Sequence, residues 1–208
     1  MQELFSLVRD LQRSEVSQII ENRISEFSEI KKASKKKVFE ELCFCIMTAN
    51  CSAVKCIEVQ ELVADGFQDL TEEKLAQTLK SFGYRFPNIR AKYIVQARQH
   101  KDELHTRINN KVNPQELREW IVRNIKGIGY KEASHFLRNI GFTEYAIIDF
   151  HILDLLAKHQ QIKKPKKLNK THYLKIEEIL KEIAKKLDLN LAELDLFLWY
   201  LETGKVLK

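Results

Sequence analysis

Apolar side chains recur at intervals of three and four residues along almost the whole chain, and runs that alternate every second residue are absent. That period is the signature of amphipathic helices rather than strands. The breakers agree: six glycines and three prolines punctuate 208 residues. The reading is all-α. Candidate helices are Gln2–Gln12, Ser14–Ile30, Lys35–Ala49, Ala53–Ala64, Glu72–Phe82, Arg90–Lys101, Pro114–Ile125, Lys131–Asn139, Phe150–His159, His172–Leu187 and Leu191–Thr203. Several starts carry a mechanism. Thr71 precedes Glu72 and Glu73, acids that favour the positive end of a helix. Asn113-Pro114-Gln115-Glu116 places a cap residue, a first-turn proline and an acid in order. Gly66, Gly141 and Gly204 follow helical runs, where a left-handed stop is expected.

The chain's length suits one domain or two small lobes. Hydrophobic residues at 44% suffice for a packed core, and no apolar run reaches the roughly 20 residues that span a bilayer. The N-terminal MQELFSLVRDLQ mixes acids into its apolar residues and lacks a signal-peptide core. A cytoplasmic protein with no membrane association is therefore expected. The formal net charge of +6 permits phosphate binding without establishing it. Cys43, Cys45, Cys51 and Cys56 crowd into one stretch with no histidine among them. Zinc sites usually pair two separated ligand clusters, so core thiols are expected and no metal or cofactor.

The informative segment is WIVRNIKGIGYKEASHFLRNIGFTEYAIIDFHILDLL, residues 120–156. A helix ends at Ile125, Gly127-Ile128-Gly129 turns the chain, and a second helix opens near Tyr130. Glycines on both sides of one apolar residue allow the sharp turn, and Ile128 pins it to the core. The turn is expected to leave amide N–H groups bare at a helix N-terminus, a setting that binds phosphate. A plain helix–helix turn is the alternative. Lys131 follows in the first helical turn, where the dipole opposes an ammonium and favours the neutral amine a nucleophile needs. Asp149, eighteen residues on, stands before another helix and can cap it or serve as a carboxylate facing Lys131.

GIGYK followed by IIDFH resembles the helix-hairpin-helix DNA glycosylases, the superfamily that includes endonuclease III. LCFCIMTAN (42–50), FGYRF (82–86), RAKYIV (90–95), VRNIKGIGYKEASHFLRNIGF (122–142), AIIDFHIL (146–153) and LDLFLWYLETGKVLK (194–208) are more similar to the type 2 8-oxoguanine DNA glycosylase/lyases. The resemblance implies a two-lobed fold: a helical barrel ending in the hairpin over residues 35–140, a second lobe from 1–34 and 141–208, and a DNA-binding cleft between them. It makes Lys131 the nucleophile and Asp149 the catalytic carboxylate. Gly127, Gly129 and His151 become phosphate contacts. Phe86, Trp199 and Arg85 belong to the base site, Asn50 fills the gap left by the flipped base, and Lys208 distinguishes the oxidised base from guanine. Phe86 and Trp199 as core, Asn50 as a helix end, His151 as a surface residue and Lys208 as a frayed tail are the structural alternatives. Endonuclease III's cysteine cluster after the catalytic aspartate is missing, as in the type 2 family.

The implied activity is base-excision repair by a bifunctional glycosylase/lyase. A lysine Schiff base forms and the strand is nicked by β-elimination. The implied partner is double-stranded DNA carrying 8-oxoguanine or an abasic site, bound by a monomer. The other readings are an endonuclease III-like enzyme for oxidised pyrimidines and a non-catalytic helix-hairpin-helix DNA-binding protein. One motif stays open at this level: the run Lys163-Lys164-Pro165-Lys166-Lys167 is either a phosphate contact or a solvated basic loop.

Overall fold

The computed structural model describes residues 2–110 and 113–208, and every regular element among them is helical. The α-helices are α1 (Gln2–Gln12), α2 (Glu15–Lys32), α3 (Lys35–Thr48), α4 (Ala53–Val63), α5 (Gly66–Asp69), α6 (Glu72–Ser81) and α7 (Pro87–Ala97), followed by a 3-10 turn at Arg98–His100. After the turn come α8 (Lys101–Asn109), α9 (Pro114–Asn124), α10 (Tyr130–Asn139), α11 (Phe150–Lys158), α12 (Lys170–Lys186) and α13 (Leu191–Thr203).

The caps form as their residue types dictate. Thr71 accepts from the Lys74 amide at 3.3 Å and Asn113 from the Gln115 amide at 2.9 Å. Asn190 and Glu193 close a reciprocal capping box at the start of α13, which Gly204 ends in the left-handed region. Gly141 is left-handed too, and a Cβ there would lie 2.8 Å from the Ser28 Cα, so only glycine fits.

Three expectations change. Gly66 is not a left-handed stop. Ala64 takes the positive φ at +43°, and Gly66 opens α5, where a Cβ would meet Leu70 Cδ1 at 2.8 Å. The expected helix at Arg90–Lys101 begins earlier, at Pro87, the usual place for a proline at a first helical position. It ends at Ala97, and α8 follows as a separate, polar helix holding on through Leu104 and Ile108.

The chain divides into two units, Glu29–Phe136 and Met1–Ser28 with Leu137–Lys208. In the first, α3 is the axis of the core. From Val38 to Thr48 each of its residues is buried, the pattern of a helix enclosed on all sides. Phe39 and Phe44 pack in the same core as Leu75 and Leu79 of α6, Ile94 of α7 and Ile121 of α9. Cys43 and Cys45 lie in it as small apolar groups, and burial pushes the Cys43 thiol well up. In the second unit Leu4, Val8, Ile20 and Phe27 are buried, as are Leu155 and Leu156 of α11 and Leu194 and Leu198 of α13, and α13 packs on both α1 and α11. Arg138 and Asp195 pair there at 3.0 Å, both largely buried, with the guanidinium 4.8 Å from the Phe27 ring.

Candidate active site

The hairpin is α9, a five-residue turn (125–129) and α10, all within the unit Glu29–Phe136 apart from the last turn of α10. Ile128 is buried and its amide donates to the Ile125 carbonyl at 3.4 Å, tying the turn to the end of α9. The two glycines do different work. Gly127 sits at φ +82°, and a Cβ there would fall 2.4 Å from Tyr93 Cδ2 on α7. Gly129 has no such restriction; its Cβ would come no closer than 3.3 Å, to Glu132 Oε2. The bare-amide expectation needs correction at this point. The Gly129 N–H donates to Glu132 Oε2 at 3.2 Å, the returning half of a capping box in which glycine stands at the cap.

Lys131 is the second residue of α10 and half-buried. Tyr130 and Ser134, on the same helix, fasten that first turn to α9. The Tyr130 hydroxyl donates to Glu119, and Arg118, buried, donates to Ser134 Oγ at 3.1 Å with its guanidinium 5.3 Å from the Tyr130 ring. The buried Cys56 thiol is hydrogen-bonded to Cys51. Burial and Cys51 push that thiol up, while Arg90 and Lys131 oppose the rise.

Arg90, which sequence reasoning quoted but did not single out, gathers the same unit's other candidates. Its Nη2 donates to the Ala49 carbonyl at 2.7 Å, beside Asn50. Its guanidinium lies 6.0 Å from the Phe86 ring and 5.8 Å from the Tyr93 ring. Asn50 is exposed at φ +61°, a conformation asparagine tolerates better than most residues. Phe86 is half-buried at the cap of α7, with the exposed Arg85 guanidinium 4.9 Å from its ring. The only early signal for Arg90 was its place between FGYRF and KYIV; a buried arginine ordinarily needs partners.

In the other unit, Asp149 caps α11 through Oδ1, which accepts from the Ile152 amide at 3.0 Å. The approach to it is non-helical and held from α12. Glu177, buried, accepts from the Ala146 amide at 3.0 Å. The Tyr173 hydroxyl donates to the Ala146 carbonyl at 2.7 Å and accepts from the Ile148 amide at 3.2 Å. Tyr173 and Glu177 are four residues apart, so one helix face aims the segment that carries Asp149. His151 is held between rings: 3.9 Å from the exposed Phe150 and 5.3 Å, edge-on, from Trp199. The Trp199 indole N–H is buried with no acceptor among the described residues. Val206, Leu207 and Lys208 are half-buried rather than frayed away from the protein. Among the described residues no group of histidines, cysteines and acids is arranged to hold a metal ion, and no helix is long and apolar enough to cross a membrane.

An all-helical chain with this hairpin, a lysine in the first turn of the hairpin's second helix and an aspartate capping a later helix has the helix-hairpin-helix DNA glycosylase fold. A family model described as 8-oxoguanine DNA glycosylase matches residues 20–189. The 8-oxoguanine DNA glycosylase/AP lyase of Korarchaeum cryptofilum is 50% identical over 206 residues, covering 97% of this chain and 98% of that protein. Solved structures agree. The Methanocaldococcus jannaschii 8-oxoguanine glycosylase/lyase, in complex with a 15mer DNA containing 8-oxoguanine, superposes with a TM-score of 0.95 at 48% identity, over 99% of this chain and all of that one. The 8-oxoguanine DNA glycosylase of Thermotoga maritima gives a TM-score of 0.93 at 40% identity, over all of this chain and 99% of that one. The chain belongs to the 8-oxoguanine DNA glycosylase family.

Proposed function

We propose that this chain removes 8-oxoguanine from duplex DNA and then nicks the strand, with Lys131 as nucleophile and Asp149 as the supporting carboxylate. The observation that carries the assignment is the place of Lys131. It occupies the first turn of α10, directly after the glycine turn, in a chain 48% identical to a glycosylase/lyase solved on 8-oxoguanine DNA.

The target base is stacked in the duplex, and flipping it out costs about a few kcal/mol. Phosphate contacts at Gly127, at Gly129 (once its amide exchanges Glu132 Oε2 for a phosphate oxygen) and at His151 offset that cost, and Asn50 fills the space the base leaves. The Lys131 amine attacks the sugar C1′ and the base departs. Asp149 uses Oδ1 for the Ile152 cap, and a carboxylate has capacity left to stabilise the positive charge that grows on the sugar. The amine and the opened sugar form a Schiff base, and β-elimination expels the 3′ phosphate. Phe86, Arg85 and Trp199 form the base site. At N7, guanine accepts a hydrogen bond whereas the oxidised base donates one, so an acceptor there separates them. The main-chain oxygen at Lys208 supplies it. The groups named all come from one chain, so this reading takes the monomer, acting on cytoplasmic DNA, as the working unit.

The test is a cleavage assay on duplexes carrying 8-oxoguanine, thymine glycol or an abasic site. Release of 8-oxoguanine with nicking, and nicking at the abasic site, are expected. Preference for thymine glycol favours an enzyme for oxidised pyrimidines. Tight binding without cleavage of any duplex favours a non-catalytic DNA-binding protein.

A further inference from the structure

The basic run left open by the sequence is neither isolated nor loosely held. Between Asp154 and Lys170 the chain carries six lysines and a single acid, a net +5 where the whole protein is +6. Nearly the entire charge excess thus sits in this one stretch. All six lysines (Lys158, Lys163, Lys164, Lys166, Lys167 and Lys170) are exposed.

The loop is anchored at several points. Lys164 pairs with Asp154 in the middle of α11, folding the loop back along that helix. The Gln161 amide donates to the Leu156 carbonyl at 2.8 Å. His172 Nδ1 lies 2.8 Å from the Lys167 carbonyl, and Asn169 caps α12 through the His172 amide at 2.9 Å. His159 Nδ1 lies 3.3 Å from Glu3 Oε2, so that acid faces the base of the loop. A held loop presents its charge at lower entropic cost than a free one. Asp154, already paired with Lys164, lies one turn from His151, and α11 as a whole is only about 13 Å long at 1.5 Å per residue. Duplex DNA carries a phosphate about every 3.4 Å of axis on each strand. A surface this close to the His151 end of α11 lies within about four base pairs of the phosphates contacted there.

We infer that the Lys158–Lys170 surface is a second backbone grip on the duplex, binding phosphates that flank the lesion. This rests on the proposed action on DNA and extends it: the hairpin and His151 hold the damaged nucleotide's own backbone, while this loop holds duplex beyond it. Contacts of this kind read no sequence and register as counterion release.

Two charge-matched double variants test it, with binding to an 8-oxoguanine duplex measured across a salt series. Lys166→Ser with Lys167→Ser removes two charges from the loop. Lys185→Ser with Lys186→Ser removes two exposed charges from the far end of α12, about 25 Å along that helix. The loop variant should lower the slope of log affinity against log salt by about 2, near 0.9 for each lost phosphate contact, and the α12 variant should leave it unchanged. Arginine at positions 166 and 167 should restore the wild-type slope, since it keeps the charge. Equal slopes in both double variants overturn the proposal. Base release by the wild type is assayed in parallel. If it is missing while the two slopes still differ, the catalytic reading fails and the grip stands.

Discussion

The ring of Tyr93 occupies the space where a side chain on Gly127 would begin, 2.4 Å from an ideal Cβ. The hairpin turn is thus built against α7, and glycine is required there twice over, by packing and by its φ of +82°. Gly127→Ala should lower unfolding stability by about 2–5 kcal/mol, from left-handed strain and overpacking together. Tyr93→Ala in the same chain should recover only the packing part. Gly129→Ala should change stability by less than about 1 kcal/mol, because alanine fits its backbone. Denaturant titration of the three variants checks the order. If Gly129→Ala binds damaged duplex poorly while remaining stable, close approach to a phosphate is what holds glycine at that position.

Asp149 has a structural and a proposed chemical role, and asparagine separates them. Asn caps helices about as well as Asp, so Asp149→Asn should keep the α11 cap and stay within about 0.5 kcal/mol of wild-type stability. It should nevertheless release 8-oxoguanine far more slowly in single turnover, because the charge is gone. Near-normal rates with unchanged stability would reduce Asp149 to a cap.

Tyr173 bonds the backbone on both sides of Ile147, ahead of Asp149. Tyr173→Phe should leave the buried Ile148 N–H short of an acceptor and cost about 1–3 kcal/mol. Base release should slow with it, while the salt dependence of DNA binding stays at the wild-type slope. An unaltered rate in a destabilised variant would show that the segment's position does not depend on this hydroxyl.

Deleting Lys208 should narrow the preference for 8-oxoguanine over guanine, by about 5- to 150-fold if one buried hydrogen bond worth about 1–3 kcal/mol is lost. Nicking at preformed abasic sites should persist, since no base is read there. Undiminished discrimination in the truncated protein would move recognition to other acceptors.

The helical class, eleven of the helices and the glycine hairpin were legible because each depends on residues close in sequence: apolar spacing, a cap, a glycine turn. What escaped depends on distant or weak signals. Tyr93 lies 34 positions before Gly127, and nothing local announces their contact. Arg90 is a charged residue in a region read for its aromatics. Tyr173 and Glu177 look like an ordinary helix face until the segment 146–148 is laid against them. Helix α8 was missed because KDELHTRIN has just two buried anchors, Leu104 and Ile108. The Gly129–Glu132 closure was readable, since an acid three residues after a cap position is a helix-start pattern, and glycine at the cap disguised it.

Borohydride trapping tests the central claim most directly. Wild-type protein mixed with an 8-oxoguanine duplex and reductant should become covalently joined to the strand, and peptide mapping should place the adduct on Lys131. Lys131→Gln should bind the same duplex yet yield no adduct, no free base and no nick. An adduct mapped to a different residue, or base release by Lys131→Gln at the wild-type rate, would contradict Lys131 as the nucleophile.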